Sequence, residues 1–477
     1  MITISFAFLL GERNLTLQLK STEQAKDNGL QTHCDHAFVQ KDDADLDRHF
    51  LASARLPEKH GSTQIFNIAP LSNEARVLIR GHSRDRINAL QQALCGPRTT
   101  HIHMPHTGAH LFPPREFRQK EKTRRVIDEL VASYRPSTKR AVKRVIYRGQ
   151  AWYIASLMMQ TRPDICVCWN GVRGHRRLFM DVAQDLGIPH LYMEESPVPE
   201  RITCDLAGVN FENSLPRRMD YYRLWQARAA GVARKEWRSL ADRLAARVTE
   251  RTHTSQLTRD LGDEGKYIFC PLQVPTDSQV VSFGGRFKSM EQYVETLCNA
   301  AKALPRGWHL RIKEHPSSQV TFRDMIKRHV GEKLKLDNST DTFLQVKHAK
   351  SVLTLNSSVG IQAFYFDKPV MTLGHAFWDF GGLAEHLATS EALMEALANP
   401  TRSWFSERDR AAFMNYLTFV YYVIEQDVAD GKIGLNDIIG RAADRDALLA
   451  EVQRDDASVA VTRASAAHSS WRKQPVT

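Results

Sequence analysis

A chain of 477 residues is too long for one ordinary core, which points to two domains with connecting helices. A hydrophobic share of 42% and a charged share of 25% are those of an ordinary globular protein, not of a disordered or fibrous chain. The formal net charge of +11 leaves nucleic acid, an anionic membrane surface and anionic small substrates as classes of partner.

The opening "MITISFAFLLGERN" lacks a basic leader region and a cleavage signal, so it reads as a first strand rather than a signal peptide. No stretch approaches the roughly 18 apolar residues of a membrane span. "DDADLD" (42–47) has the D-x-D spacing that binds a metal–nucleotide in some transferases, but it follows no clear strand and reads as a solvated helix start. "ARVLIRG" (75–81) is a further strand. "THIHMPHTGAH" (100–110) holds four histidines in no zinc spacing, and Pro105 and Gly108 argue for a loop. "REFRQKEKTRR" (115–125) and "KRAVKRVIYR" (139–148) are basic runs, which usually form solvated helix faces and here could meet anionic lipid head groups.

"AWYIASLMMQ" is a helix, "DICVCWNG" a strand and turn, "RRLFMDVAQDLG" a helix ending at Gly187, and "IPHLYMEE" the next strand. The "CVC" at 166–168 is too tight for a zinc pair, and seven cysteines without a framework fit a reducing cytosol. Strand 188–193 ends in Glu194 and Glu195, with Asp205 beyond a turn-rich stretch. Carboxylates at a strand end suit sugar transfer, one as nucleophile or ion-pair partner and another as acid or base. Taken alone they read as solvated loop charges. The Arg- and Ala-rich segment 216–262 bridges to the second half.

There strand and helix alternate strictly: "KYIFCPLQ", "SMEQYVETLCNAAKAL", "HLRIKEH", "VTFRDMIKRHV", "KLKLD", "TFLQVKHAK", "SVLTLNS", "VGIQAFYF", "PVMTLG". The pattern is that of a parallel, doubly wound sheet. In "RIKEHP", strand polarity puts Lys313, Glu314 and His315 at the carboxyl edge, with Pro316 fixing the turn. Lysine and a histidine N–H are donors suited to a phosphate. In "TLNSSVG", Asn356, Ser357 and Ser358 cap a helix, whose free N–H groups favour an anion. Singly, Ser-Ser is an N-cap and His-Pro a turn; together, at successive strand ends of one sheet, they read as a site. "SERDRAAFMNYLTFVYYVIEQ" is helical, and 455–477 is polar enough to predict disorder. There is no G-x-G-x-x-G, Walker loop or G-x-S-x-G elbow.

The stretches "PLQVPTDSQV", "KEHP", "LNSSVGIQAFYFDKPVMTLG" and "EESPVPERITCDLAGVNFENSLPR" together resemble the bacterial capsule polysaccharide biosynthesis family, whose characterised members are β-Kdo transferases of the capsule lipid linker. The similarity covers residues 165–385. It implies an α/β, GT-B-like fold, two Rossmann-like domains facing a central cleft, with C-terminal helices. It also implies CMP-Kdo as donor and a phosphatidylglycerol-type lipid or growing Kdo linker as acceptor. Similarity to bacterial GT-B sialyltransferases implies that His315, Ser357 and Ser358 hold the CMP phosphate, helped by Lys313. Gln273, Asp277 and Ser278 would lie in the loop over the nucleotide, beside Glu314 and Asn356. Glu194 and Asp205 would face the sugar, Asp205 as nucleophile and Glu194 as acid/base, with Glu195 the next carboxylate to consider. The family commonly has Gly where this chain has Ser196.

A β-linked donor giving a β-linked product implies retention. A cationic, helix-dipole cradle can stabilise the leaving CMP without a metal, so no cofactor and no metal is expected. The expected division is 1–215 for the acceptor and catalytic domain, 216–262 for a helical linker and 263–400 for the CMP-sugar domain, then helices over 401–454 and a tail over 455–477. The expected place is the cytoplasm, peripherally on the inner face of the cytoplasmic membrane, among other capsule assembly and export proteins. Two other readings stay open: a GT-B transferase for another CMP- or CDP-activated unit, and a non-catalytic scaffold of the capsule assembly complex. Nucleic-acid binding rests on charge alone, without stacking aromatics among the basic runs, so no nucleic acid is expected.

Overall fold

In a computed structural model, the described residues are 68–471 without 103–113, 115, 116, 118–120, 133–135, 245–254, 259, 263, 330 and 332. The expected opening strand, the acidic run 42–47 and most of the histidine run lie outside them.

The first half contains β1 (Val77–Arg80), α1 (Asp85–Cys95), β2 (Thr99–Ile102), α2 (Glu121–Ala132), α3 (Ser137–Thr161), β3 (Ile165–Trp169), α4 (Gly174–Asp185), β4 (His190–Glu195) and β5 (Arg201–Asp205). α5 (Met219–Arg228) leads on to β6 (Lys266–Pro271), α6 (Ser278–Phe283), α7 (Met290–Ala300), β7 (Trp308–Lys313), α8 (Arg323–Lys327) and β8 (Leu334–Leu336). Then come α9 (Thr342–His348), β9 (Ser351–Thr354), α10 (Ser358–Gln362), β10 (Val370–Thr372), β11 (Glu385–His386) and α11 (Ser390–Ala398). The chain closes with α12 (Glu407–Tyr416), β12 (Val423–Ile424), α13 (Glu425–Ala429) and α14 (Leu435–Trp471).

Two six-stranded sheets result, ordered β12-β5-β4-β3-β1-β2 and β11-β10-β9-β6-β7-β8. Every pairing of the second sheet is parallel. In the first, β1 to β4 are parallel and β5 and β12 add antiparallel edges. Apolar runs such as "ICVCW" are buried at every position, as parallel strands covered on both faces must be. Helices α3 and α4 cover one face of the first sheet, burying Ile154, Met158, Leu178 and Phe179. On the other face α1 packs with residues from the chain's end, Val423, Val428, Ile438 and Ala442. The second sheet is covered by α7 and α11 on one side. Its other side holds α5 and α12, with Tyr221, Tyr222, Trp237 and Phe413. The architecture is thus α/β and GT-B-like. The backbone of α14 is helical as far as Trp471, where composition predicted disorder from 455.

Candidate functional site

In a doubly wound sheet the crevice opens where the chain leaves neighbouring strands in opposite directions. In the second sheet that point lies between β6 and β9, because β7 and β8 extend to one side and β10 and β11 to the other. Gln273, two residues past β6, donates from Nε2 to Asn356 Oδ1, two residues past β9, at 3.0 Å. Asn356 Nδ2 in turn donates to the carbonyls of Gln279 and Phe283, both at 2.9 Å. This buried pair fixes the width of the crevice and the position of α6, so Gln273 and Asn356 frame the site rather than line it. Asp277 caps α6 by accepting the N–H of Gln279 at 2.8 Å, and Ser278 starts that helix. Ser357 caps α10, accepting the N–H of Val359 at 3.3 Å, and Ser358 beside it is half-buried. Gly360 is required there by close packing: a Cβ would lie 2.3 Å from the Trp378 ring.

The "KEHP" stretch divides. Lys313 does not reach for a phosphate; the residue is 2% exposed and its ammonium donates to the carbonyls of Ser255, Asn338 and Thr340 at 2.9, 3.2 and 2.6 Å. Burial pulls it down to about 8. Glu314 is likewise an anchor, accepting from Thr321 Oγ1 and Asn338 Nδ2 at 2.8 Å and from the N–H of Phe322 at 2.5 Å. His315 is the member that remains half-exposed. Its Nδ1 accepts the N–H of Ser317 at 3.1 Å, which puts the proton of the neutral ring on Nε2.

The carboxyl edge of the first sheet is shaped by the turn after β3, where Asn170 and Gly171 both have φ of 67°. A Cβ at Gly171 would meet the Tyr192 ring at 2.5 Å, so only glycine fits. The turn aims the Asn170 amide at Glu194, to which it donates a hydrogen bond. Glu194 also accepts the N–H of Glu195 at 2.9 Å. Burial pushes the Glu194 carboxyl above its usual range against these two bonds, and the charge of Asp277, on the other sheet, pushes the same way. Strand alternation sends Glu195 to the opposite face, where it pairs with Arg86 at 3.0 Å.

Asp205 is 1% exposed and takes no position facing a sugar. It accepts the N–H groups of Ala207, Gly208 and Ser214 at 2.7, 3.2 and 3.0 Å, the Ser214 hydroxyl at 2.5 Å and the Tyr421 hydroxyl at 2.8 Å. It is the anchor of the loop after β5. Ser196, where glycine is common, is not in the left-handed region and accepts the N–H of Val198 at 2.9 Å, so the turn tolerates a side chain.

That loop and the β4–β5 turn carry the first sheet to the second. Gln362 of α10 donates to the Pro197 carbonyl at 3.0 Å. The Phe211 ring stacks on His375 with centroids 5.0 Å apart. Arg217 lies over Phe211 and Phe377 at 5.8 and 5.9 Å and donates to the Phe211 carbonyl at 3.0 Å. Sequence reasoning missed Asn170, Phe211, Arg217 and His375. The "WNG" turn after an apolar strand was the available signal for Asn170; the other three are set by contacts remote in sequence.

Residues 226–422 match the family described as capsule polysaccharide biosynthesis protein, a span that holds the whole second sheet. Protein FixF of Sinorhizobium fredii (strain NBRC 101917 / NGR234) is 28% identical over 263 residues, 55% of this chain and 60% of FixF. The match thus spans less than two thirds of that relative. The capsule polysaccharide export protein KpsS of Escherichia coli is 25% identical over 283 residues, 48% of this chain and 72% of KpsS. A solved structure of Thermosulfurimonas dismutans KpsC, a beta Kdo 2,7 transferase, covers 58% of this chain and 87% of its own, at 14% identity and a TM-score of 0.36. The stretches "KEHP" and "LNSSVG" lie within residues 226–422, the span over which the chain is similar to the capsule polysaccharide biosynthesis family.

Proposed function

We propose that the chain is a glycosyltransferase of capsule polysaccharide biosynthesis that moves a Kdo unit from CMP-Kdo to a lipid-borne acceptor. The observation that carries this reading is that polar residues gather at the carboxyl ends of strands in both sheets: Ser357 and Ser358 at the switch point of the family-matched sheet, His315 past the neighbouring β7, and Glu194 at the end of β4, with Gln362–Pro197 and Phe211–His375 joining the two sheets. The His315 Nε2–H and the hydroxyls of Ser357 and Ser358 hold the phosphate of CMP. They take up the charge that develops as the bond from the sugar to the phosphate oxygen breaks and the electron pair leaves with CMP. The acceptor hydroxyl forms the new bond to the sugar, and its proton passes to Glu194, whose raised basicity suits that task. Lys313, Glu314 and Asp205 hold the backbone that presents these groups.

The chain works at the inner face of the cytoplasmic membrane. Helix α3 supports this placement, since Val142 and Val145 stand 59% and 65% exposed within its basic run.

CMP raises the melting temperature of the protein, by stabilising the native state alone, and UDP does not. His315→Ala removes most of that shift. Glu194→Gln keeps it, while transfer from CMP-Kdo to a short-chain phosphatidylglycerol, followed by mass analysis, falls roughly 10²–10⁴-fold. Equal stabilisation by UDP refutes the donor assignment, and wild-type turnover in Glu194→Gln refutes the role of that carboxylate.

A further inference from the structure

The first sheet has a switch point of its own, between β1 and β3, since β2 lies to one side of β1 and β3, β4 and β5 lie to the other. Its carboxyl edge is densely cationic. Arg80 ends β1 in register with Cys168 of β3, and Cys168 is in register with Tyr192 of β4. Two residues further along these strands come His82, Asn170 and Glu194. The charges of Arg80, Arg176 and Glu194 all act on Cys168, so the cations and the proposed catalytic carboxylate share one edge.

The cations lack the partners such groups usually have. Among the described residues, Arg80, Arg84, Arg173 and Arg176 form no ion pair with a carboxylate, although Arg86 and Arg177 nearby each hold two. Arg80 donates from Nη1 to the Gly81 and Ile102 carbonyls at 2.7 and 3.4 Å, while its Nε is buried without a partner. His82 is held in place at its backbone, its N–H donated to Asn88 Oδ1 and its carbonyl accepting Asn88 Nδ2, both at 2.8 Å. Its Nδ1 accepts the N–H of Arg84 at 3.0 Å, which leaves the proton on Nε2. Burial, then Arg176, Arg84 and Arg80, pull the imidazole down to about 4, so at neutral pH the ring is an uncharged donor among cations. Like charges gathered at one point repel, and a half-buried guanidinium with an unsatisfied N–H is costly. A bound oxyanion offsets the repulsion among these cations.

We propose that Arg80, His82, Arg84 and Arg176 form the seat for a phosphodiester group on the acceptor, placed so that the hydroxyl attached to it reaches Glu194. This rests on the transferase reading for its role, but not for the binding itself. A phosphodiester offers the oxygens that guanidinium groups match in pairs, and the second sheet keeps its own separate place for the donor phosphate.

The test uses the full chain and dihexanoyl phosphatidylglycerol below its micelle concentration, with dihexanoyl phosphatidylcholine and inorganic phosphate as further probes. Binding is read by calorimetry, and the CMP-induced melting shift reports that fold and donor sheet are intact. Arg84 and Arg176 are surface or half-buried side chains, so the double variant Arg84→Gln/Arg176→Gln is the informative one. It binds the phosphatidylglycerol at least tenfold more weakly than wild type and keeps the CMP shift. Arg98→Gln removes one positive charge at the opposite edge of the same sheet and alters neither. Equal binding by the double variant, or no binding by wild type, overturns the proposal. Binding of inorganic phosphate as tight as that of phosphatidylglycerol assigns the seat to free phosphate and overturns the acceptor role. Tight phosphatidylcholine binding overturns it in favour of apolar contact. If CMP fails to stabilise the protein while phosphatidylglycerol behaves as expected, the donor reading fails and the seat stands.

Discussion

Lys313 and Glu314 show how a residue can be well placed in sequence and differently used in space. Both stand at a strand end beside a histidine, the pattern of a phosphate cradle. The carbonyls of Ser255, Asn338 and Thr340 close over the lysine, and none of these is foreseeable from the strand itself. Another residue of β7, His309, gives a test at this scale. It is 3% exposed, its Nε2 has no partner, and its ring feels the cluster in which Glu264 pairs with Arg311 and Lys335. Burial, then those two cations, pull it down to about 4. The unfolded chain takes up this proton near pH 6.5, its ordinary value, and the native chain only near 4. Between these values the unfolded state holds more protons, so stability falls as the pH falls. His309→Phe removes that contribution, and its melting temperature declines less steeply from pH 6.5 to 4 than that of wild type. A parallel decline in the two proteins would show that His309 does not resist protonation.

Among the elements, the second sheet was legible because each strand is an apolar run bounded by a periodic helix. The switch-point pair Gln273 and Asn356 stood at strand ends for the same reason. The strands β11 and β12 have two residues each, too few for any periodicity to mark. The helix α14 was missed from 455 onward because polar composition was weighed above the intrinsic helix preference of its alanines. The resemblance implies a catalytic Asp205, and its anchoring role is not legible in the sequence because one partner, Tyr421, lies 216 positions away. Helix α3 carries a prediction of its own. Val142 and Val145, three residues apart, share a face with Arg148 and lie among Lys139, Lys143 and Arg144. Val142→Glu/Val145→Glu weakens partition onto vesicles containing phosphatidylglycerol by tenfold or more, and leaves the CMP melting shift in place. Flotation of both proteins with such vesicles measures this, and equal partition would make α3 an ordinary surface helix.

For the whole molecule, sequence order and spatial order part company after residue 400. The helix α12 packs against α5 under the second sheet, through Tyr221, Tyr222 and Tyr416. The chain then returns to the first sheet, where β12 pairs with β5, and Val428, Ile438 and Ala442 enter that sheet's core. Removal of everything after residue 422 leaves α12 in place and uncovers a face of the first sheet that its own half of the sequence cannot cover. The truncated chain loses protection of the β3–β5 amides in hydrogen exchange, while the β6, β7 and β9 amides keep more of theirs. Uniform loss across both sheets would show that the two cores unfold as one unit.

The polypeptide passes between the two sheets twice, once after β5 and once after β11. A pair of bodies tethered at two points keeps rotation about the line through the tethers as its easy movement, and sliding is suppressed. Swinging apart then needs the Gln362–Pro197 hydrogen bond and the Phe211–His375 stack to release, whereas the tethers stay whole. Together with Arg217 over Phe211 and Phe377, those contacts hold the loop after β5 of the first sheet against the second.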